Sequence, residues 1–401
     1  MRVTIKKVNI EELLVFIYCV SAIALITFSW GRYLMIAAVG LLFLRLARSN
    51  RLIISRKDFP FLNSGLLFTC FCYLSVIWAE SQTYAIEMSN TICQIFACTF
   101  VVYMYFSQTC QTKSFIKIIM FSGYIYALVV LSDYGFTNIF RIATDSMYRE
   151  ASKYGNVNYI GMIMSVNILI TAYDLICEKK RPYHLFAVLS IIILVVTQSR
   201  TALISLIAGI CIIVYMNLKR EKNQKVLLNR IVLLIFLTCV GFIVLQNTSF
   251  FSGITQRMLE LIGTLNGDGG DSSSGVRMVL MRIGIEQFKQ TPILGIGINN
   301  SRLVSLRFVG HAYYLHNNYI EMLVNGGIIG FLIYYSFYMK IGISIYRNRF
   351  SQNKDIILFT AIWFSLLLMD VGTVSYYAKD IYIYFALLFS GLSNINSELG
   401  V

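Results

Sequence analysis

Apolar runs of about 17–22 residues recur along the whole of this chain, the length a helix needs to cross a bilayer. The runs are continuously apolar rather than alternating, which argues against the short, dyad-patterned strands of a membrane barrel. Only three prolines (Pro60, Pro182 and Pro292) interrupt the 401 residues, so the helices can run unbroken. Charged residues make up 13%, where a soluble globular chain carries roughly 25%. The expected fold is therefore an all-α polytopic membrane protein, a single integral membrane domain over residues 1–401. Spans are expected near 10–29, 33–47, 59–79, 85–106, 114–132, 158–176, 183–198, 201–217, 230–246, 317–340, 355–370 and 380–396, about twelve in all. The first run has no small-residue cleavage site and reads as a retained span.

Lysine and arginine in the loops set the orientation. With the N-terminus inside, the cytoplasmic segments hold 22 of the 34 basic residues, and every turn obeys the positive-inside rule. Both termini are then cytoplasmic. The net charge of +14 is divided among many short loops. It is explained by topology and by contact with anionic membrane lipids, and no nucleic-acid partner is expected. The two faces differ in which cation they use. The inner set is 10 Arg and 12 Lys, the outer set 9 Arg and 3 Lys. Topology needs only charge, whereas the planar arginine fork matches phosphate and carboxylate, so an external anionic substrate is inferred. No cysteine falls in an expected external loop, and no spacing suggests a metal site or a disulfide framework.

The external loops are 133–157, 197–201, 370–380 and one long stretch, 247–315. Within the long loop, 254–265 has helical spacing and should lie along the membrane surface. The glycine-rich run 267–275 reads as a flexible linker. Helical spacing returns over 276–288 and is ended by Pro292 and the glycines of 293–297.

Four places in these loops can carry chemistry. Arg200 lies in a very tight connection, TQSRT; it is either an interfacial arginine snorkelling to headgroups or an anion clamp beside a wet cavity. Arg277 is expected in the first turn of the second loop helix, where backbone N–H groups also favour anions. Arg282 follows on another face. His316 precedes Asn317, Asn318 and Glu321 at the start of an apolar span. The cluster is either a helix cap or the surroundings of a general base whose ordinary pKa of about 6.5 suits proton removal near neutrality. His311 is an alternative base.

These segments combine into a resemblance. SRTALISL (199–206), VRMVLMRIGIEQFKQTPILGIGINN (276–300) and HNNYIEMLVNGGIIGFLIYY (316–335) resemble, in order and spacing, the signatures of the O-antigen ligase/polymerase superfamily of bacterial surface-polysaccharide assembly. YGNVNYIG (154–161), with Asn156 and Asn158, resembles that family's Gly-Asn-x-Asn segment. The resemblance covers roughly residues 150–340. It implies metal-independent glycosyl transfer, without a cofactor, from an undecaprenyl-diphosphate-linked oligosaccharide at the outer face of the cytoplasmic membrane. It assigns Arg200 and Arg277 to the diphosphate and His316 to the base. Arg282, Asn317, Asn318, Glu321, Asn156, Asn158 and His311 are further substrate-binding candidates. Polymerisation of lipid-linked repeat units is the favoured activity, because weak similarity outside the core motifs is typical of polymerases. Chain-length control would then fall to a separate regulatory partner. The alternatives are a ligase passing finished glycan to a lipid, protein or cell-wall acceptor, and a flippase of lipid-linked sugars. The two halves of the chain do not match, which counts against a transporter.

Overall fold

The structure, a computed structural model, describes residues 9–25, 27–144, 152–178, 181–220, 252–253, 255–256 and 272–398. Among them there is no strand; the only extended pairing is a single bridge between Ser152 and Gly155. Eleven of the expected spans coincide with helices: α1 (Ile10–Ile23), α2 (Ser29–Arg48), α3 (Phe59–Ser75), α4 (Gln82–Thr109), α5 (Thr112–Tyr134), and, after the short loop helix α6 (Phe136–Thr144), α7 (Val157–Cys177), α8 (Ala187–Thr197) and α9 (Arg200–Lys219). The loop helices α10 (Ser272–Gln290) and α11 (Ser301–Val309) follow, then α12 (Asn318–Arg347), α13 (Asp355–Met369) and α14 (Lys379–Glu398). The expected span at 230–246 and nearly all of the surface helix at 254–265 lie outside the described residues.

Among the described residues six helices (α2, α4, α5, α7, α9 and α12) are long and apolar enough to cross a membrane by length and composition. The apolar runs at α1, α3, α8 and α13 yield helices of only 14, 17, 11 and 15 residues. From Ile381 to Asn394 every residue of α14 is buried, the pattern of a helix enclosed by others rather than facing lipid on one side. Exposed Leu44, Leu67, Ile207 and Leu332 on the surrounding helices supply the apolar outer surface.

A second, smaller core sits apart from the main one. Leu280 of α10, Ile296, Val304 of α11, Leu315 and Val324 of α12 are buried together. The long polar stretch is thus partly a packed substructure. Helix α10 begins at Ser272, which corrects the expected linker over 267–275: its last four residues are helical. Serine is well suited to a helix start. Arg277 consequently lies beyond the first turn, away from the free N–H groups expected to assist it.

This substructure joins the membrane helices through a break in α12. Gly327 adopts φ 60° and ψ −164° inside that helix, freeing two carbonyls and two N–H groups that would otherwise pair along it. All four find partners in the loop after α10. Ile296 N donates to Val324 O (3.0 Å) and Gly297 N to Asn325 O (3.0 Å), while Ile328 N and Ile329 N donate to Pro292 O (2.8 Å) and Ile293 O (3.2 Å). Broken helices survive at membrane depth only when the freed backbone is satisfied in this way. The approach requires glycine: a Cβ on Gly327 would lie 2.3 Å from the Ile293 carbonyl, and one on Gly295 2.6 Å from the backbone of 324–327.

Gly327→Ala therefore combines an unfavourable backbone conformation, about 1–3 kcal/mol, with a clash against main chain. Thermal unfolding of the purified protein should show a large fall in the midpoint, whereas Gly275→Ala, with open space around its added methyl, should leave it unchanged. Equal midpoints for the two variants would refute the docking.

Candidate functional site

The sequence motifs meet at the short 370–380 loop between α13 and α14. Asn318, at the start of α12, is fully buried, binds that loop four ways and bonds Tyr335 of its own helix. Its N–H donates to Asp370 O (2.7 Å). Its Nδ2 donates to Asp370 Oδ2 (3.2 Å) and the Tyr335 hydroxyl (3.0 Å). Its Oδ1 accepts from Ser375 N (2.9 Å) and Tyr376 N (3.2 Å). Asn317 is the N-cap: its Oδ1 accepts from Ile320 N (3.1 Å) and its Nδ2 donates to Val371 O (3.2 Å). The capping reading of this cluster thus holds for Asn317, while His316 stands one residue outside the helix.

The same loop touches the tight connection between α8 and α9. A Cβ on Gly372 would be 2.3 Å from Thr201 Oγ1, so the loop lies directly against the residue after Arg200. Ser199 Oγ donates to Asn158 Oδ1 (3.0 Å), joining that connection to the start of α7, where Asn156 caps the helix by accepting from Asn158 N (3.0 Å). Tyr159, one turn on from Asn156, donates to Asp380 Oδ1 (2.8 Å). From the other side, Met281 of α10 packs against Asn317, with Nδ2 3.8 Å from Sδ. Arg277 is one helical turn before Met281.

These contacts surround a cavity of about 370 Å³ lined by Asn156, Tyr159, Tyr314, Thr373, Tyr377 and Lys379, among others. His316 adjoins it through Tyr314, their ring centroids 4.3 Å apart. The backbone at His316 is left-handed (φ 57°), an uncommon state for a residue other than glycine, and one that turns the chain sharply into α12. Burial, with a further push from Glu321, raises the Tyr377 phenol to about 12. It is therefore a neutral hydroxyl at physiological pH, able to donate and accept.

The nominated residues divide into groups. Asn156 lines the cavity; His316, Arg200 and Arg277 do not, His316 lying against the lining Tyr314, Arg200 beside Thr201 at the 370–380 loop, and Arg277 one turn from Met281. Asn158 and Asn318 are buried in the connecting network. Glu321 is buried too, accepting from Leu315 N (2.8 Å), Asn325 Nδ2 (3.2 Å) and Ser301 Oγ. It holds the second core to α12. Arg282 lies apart, with Arg307 beside a separate groove between α10 and α11. His311 is exposed and its ring lies 5.5 Å from Tyr313. The cavity-lining Tyr314, Tyr377 and Lys379 were not anticipated. Lys379 reads in sequence as an ordinary boundary charge, and the tyrosines as interfacial aromatics. Among the described residues no group of three His, Cys, Asp or Glu side chains gathers to hold a metal ion.

A helical membrane protein with separate polar segments gathered around one cavity is what the fold and site define. Residues 185–335 match the family model described as O-Antigen ligase. Arg200, Arg277 and His316 fall inside the matched region; Asn156 and the 370–380 loop fall outside it. No curated protein matches the chain.

The network makes two adjacent asparagines unequal. Asn317→Ala removes a helix cap, worth about 1 kcal/mol. Asn318→Ala leaves several buried groups unsatisfied and should destabilise by about 2–4 kcal/mol. Thermal midpoints in the order wild type, Asn317→Ala, Asn318→Ala would follow; the reverse order of the two variants would contradict the contacts.

Proposed function

We propose that the chain polymerises undecaprenyl-diphosphate-linked oligosaccharide repeat units into a surface polysaccharide at the outer face of the cytoplasmic membrane. The observation that supports this reading is that the Arg200 and His316 segments both meet the 370–380 loop, part of which lines the cavity, while Met281, one turn from Arg277, packs against Asn317. Direct displacement needs three things at one place: a cationic hold on the diphosphate, a base for the acceptor hydroxyl, and a wall to orient the sugars.

In this mechanism Arg200 and Arg277 hold the donor diphosphate. The acceptor hydroxyl attacks the anomeric carbon as its proton passes to His316. The bond from that carbon to the diphosphate oxygen breaks, and its electron pair leaves with the lipid diphosphate. The anomeric centre inverts. Charge grows on the leaving group in the transition state, so fixed guanidiniums lower the barrier more than they tighten binding. Asn156, Tyr377 and Lys379 are placed to contact the sugars or the diphosphate. Asn158, Asn318 and Glu321 act by positioning. A charge-bearing groove at Arg282 and a sugar-accessible His311 complete the outer surface.

A ligase reading is favoured by one finding, the description of the matching family. Both readings share the chemistry and differ in acceptor. Electrophoresis of surface and lipid-linked glycan from a deletion strain separates them. Under the polymerase reading, wild type restores a ladder and His316→Ala leaves units one repeat long. Long polymer retained on its carrier in the deletion strain indicates a ligase, and units trapped inside the cell indicate a flippase. Arg200→Ala and Arg277→Ala should each reduce polymerisation by about 10²–10³-fold; wild-type ladders in all three variants would refute the mechanism.

A further inference from the structure

A larger cavity, of about 700 Å³, opens at the opposite end of α3. The last residue of α3, Ser75, accepts through Oγ from Ile298 N (3.2 Å) in the segment after α10. The 17-residue helix then places the second cavity roughly 25 Å away. Its walls are the start of α3 and the C-terminal halves of α12 and α14.

Four cations line it: Arg56, Lys57, Lys340 and Arg347. Among the described residues no carboxylate does. Lys57 Nζ donates to Ser107 O (2.7 Å), and Lys340 Nζ to Ser64 Oγ (2.7 Å) and Pro60 O (3.3 Å), all uncharged acceptors. The acid adjacent in sequence, Asp58, is buried and occupied. Its Oδ1 accepts from Tyr103 and Ser107 (2.9 and 2.6 Å) and its Oδ2 from the N–H and hydroxyl of Ser55 (2.8 Å each). These donors are all uncharged, so Asp58 keeps its negative charge beside Lys57, but it does not line the cavity. Ser393, 8% exposed, also lines the cavity. The remaining wall is apolar, with Phe389 and Ile343, and Ile343 and Met339 continue it outward as exposed side chains on α12.

Four cations on the wall of one cavity and an adjoining apolar strip match the two halves of an anionic amphiphile. Positive-inside topology accounts for charge in a loop, but not for cations from two separate elements, before α3 (Arg56, Lys57) and on α12 (Lys340, Arg347), lining one cavity closed by α14. We propose that this cavity binds the phosphate headgroup of an anionic phospholipid, with an acyl chain along Met339 and Ile343. Basic pockets between membrane helices bind such headgroups elsewhere.

The test uses the purified full-length chain, native mass spectrometry and thermal unfolding, with phosphatidylglycerol, phosphatidylcholine or inorganic phosphate added. Wild type should retain a phosphatidylglycerol adduct and melt higher with that lipid than with phosphatidylcholine. Loss of about fivefold in affinity per cation removed makes the Arg56→Gln/Arg347→Gln variant about 25-fold weaker. Arg48→Gln/Lys117→Gln, of equal charge but outside the cavity, should bind as wild type. Ser393→Leu fills the cavity without changing charge and should also lose the adduct, so the test survives if the arginine variant does not fold. Equal binding by the two charge variants, equal retention of phosphatidylcholine, or stabilisation by inorganic phosphate with no lipid adduct would each overturn the proposal.

Discussion

The interruption of α12 at Gly327 is the constraint on which the site depends. An unbroken helix there would satisfy its own backbone and leave the stretch after α10 with nothing to hold. Broken, it offers two carbonyls and two N–H groups that only another backbone at the same depth can complete, and residues 292–297 supply it. Both partners carry glycine at the contact because a single Cβ would enter main chain. The consequence is positional. Once that loop is docked, α10 and α11 close over the start of α12 through the second core, and His316 and Arg277 are fixed relative to the membrane helices.

The 370–380 loop is the second organiser. It has few residues, yet it is held by Asn317 and Asn318 on one side, meets Thr201 on another, and carries Tyr377 and Lys379 into the cavity wall. Residues that read as separate signatures in the sequence thus share one scaffold. For a transfer in which the leaving group, the attacking hydroxyl and the base must be held together, rigidity between these segments matters more than the affinity of any one of them. The buried asparagines serve that rigidity, since each presents donors and an acceptor in a fixed plane.

Much of this was legible in the sequence, and the misses have physical causes. The apolar runs located eleven helices, six of which are long and apolar enough to cross a bilayer among the described residues; helices such as α8 and α13 are apolar but short. The order of the Arg200, Arg277 and His316 segments pointed to one site, and the matched family region contains all three. The break in α12 was hidden because Asn325-Gly326-Gly327 is tolerated within an apolar span, and a hydropathy pattern does not register ψ. The glycines at 295 and 297 were read as helix terminators, but the helix already ends at Gln290; they serve the docking against 324–327, which only tertiary structure reveals. Arg277 was placed a turn too early because Ser272–Gly275 looked like linker. Lys379 was absorbed into the topology count, where charge alone explained it.

The central claim is that glycosidic bond formation and release of the lipid diphosphate are one event at this cavity. Purified protein in proteoliposomes, supplied with a lipid-linked repeat unit, should be followed for polymer and for free undecaprenyl diphosphate together. Direct transfer predicts one lipid diphosphate released for each linkage made by wild type, and neither product from His316→Ala. Polymer formed without matching release, or release undiminished in His316→Ala, would contradict it.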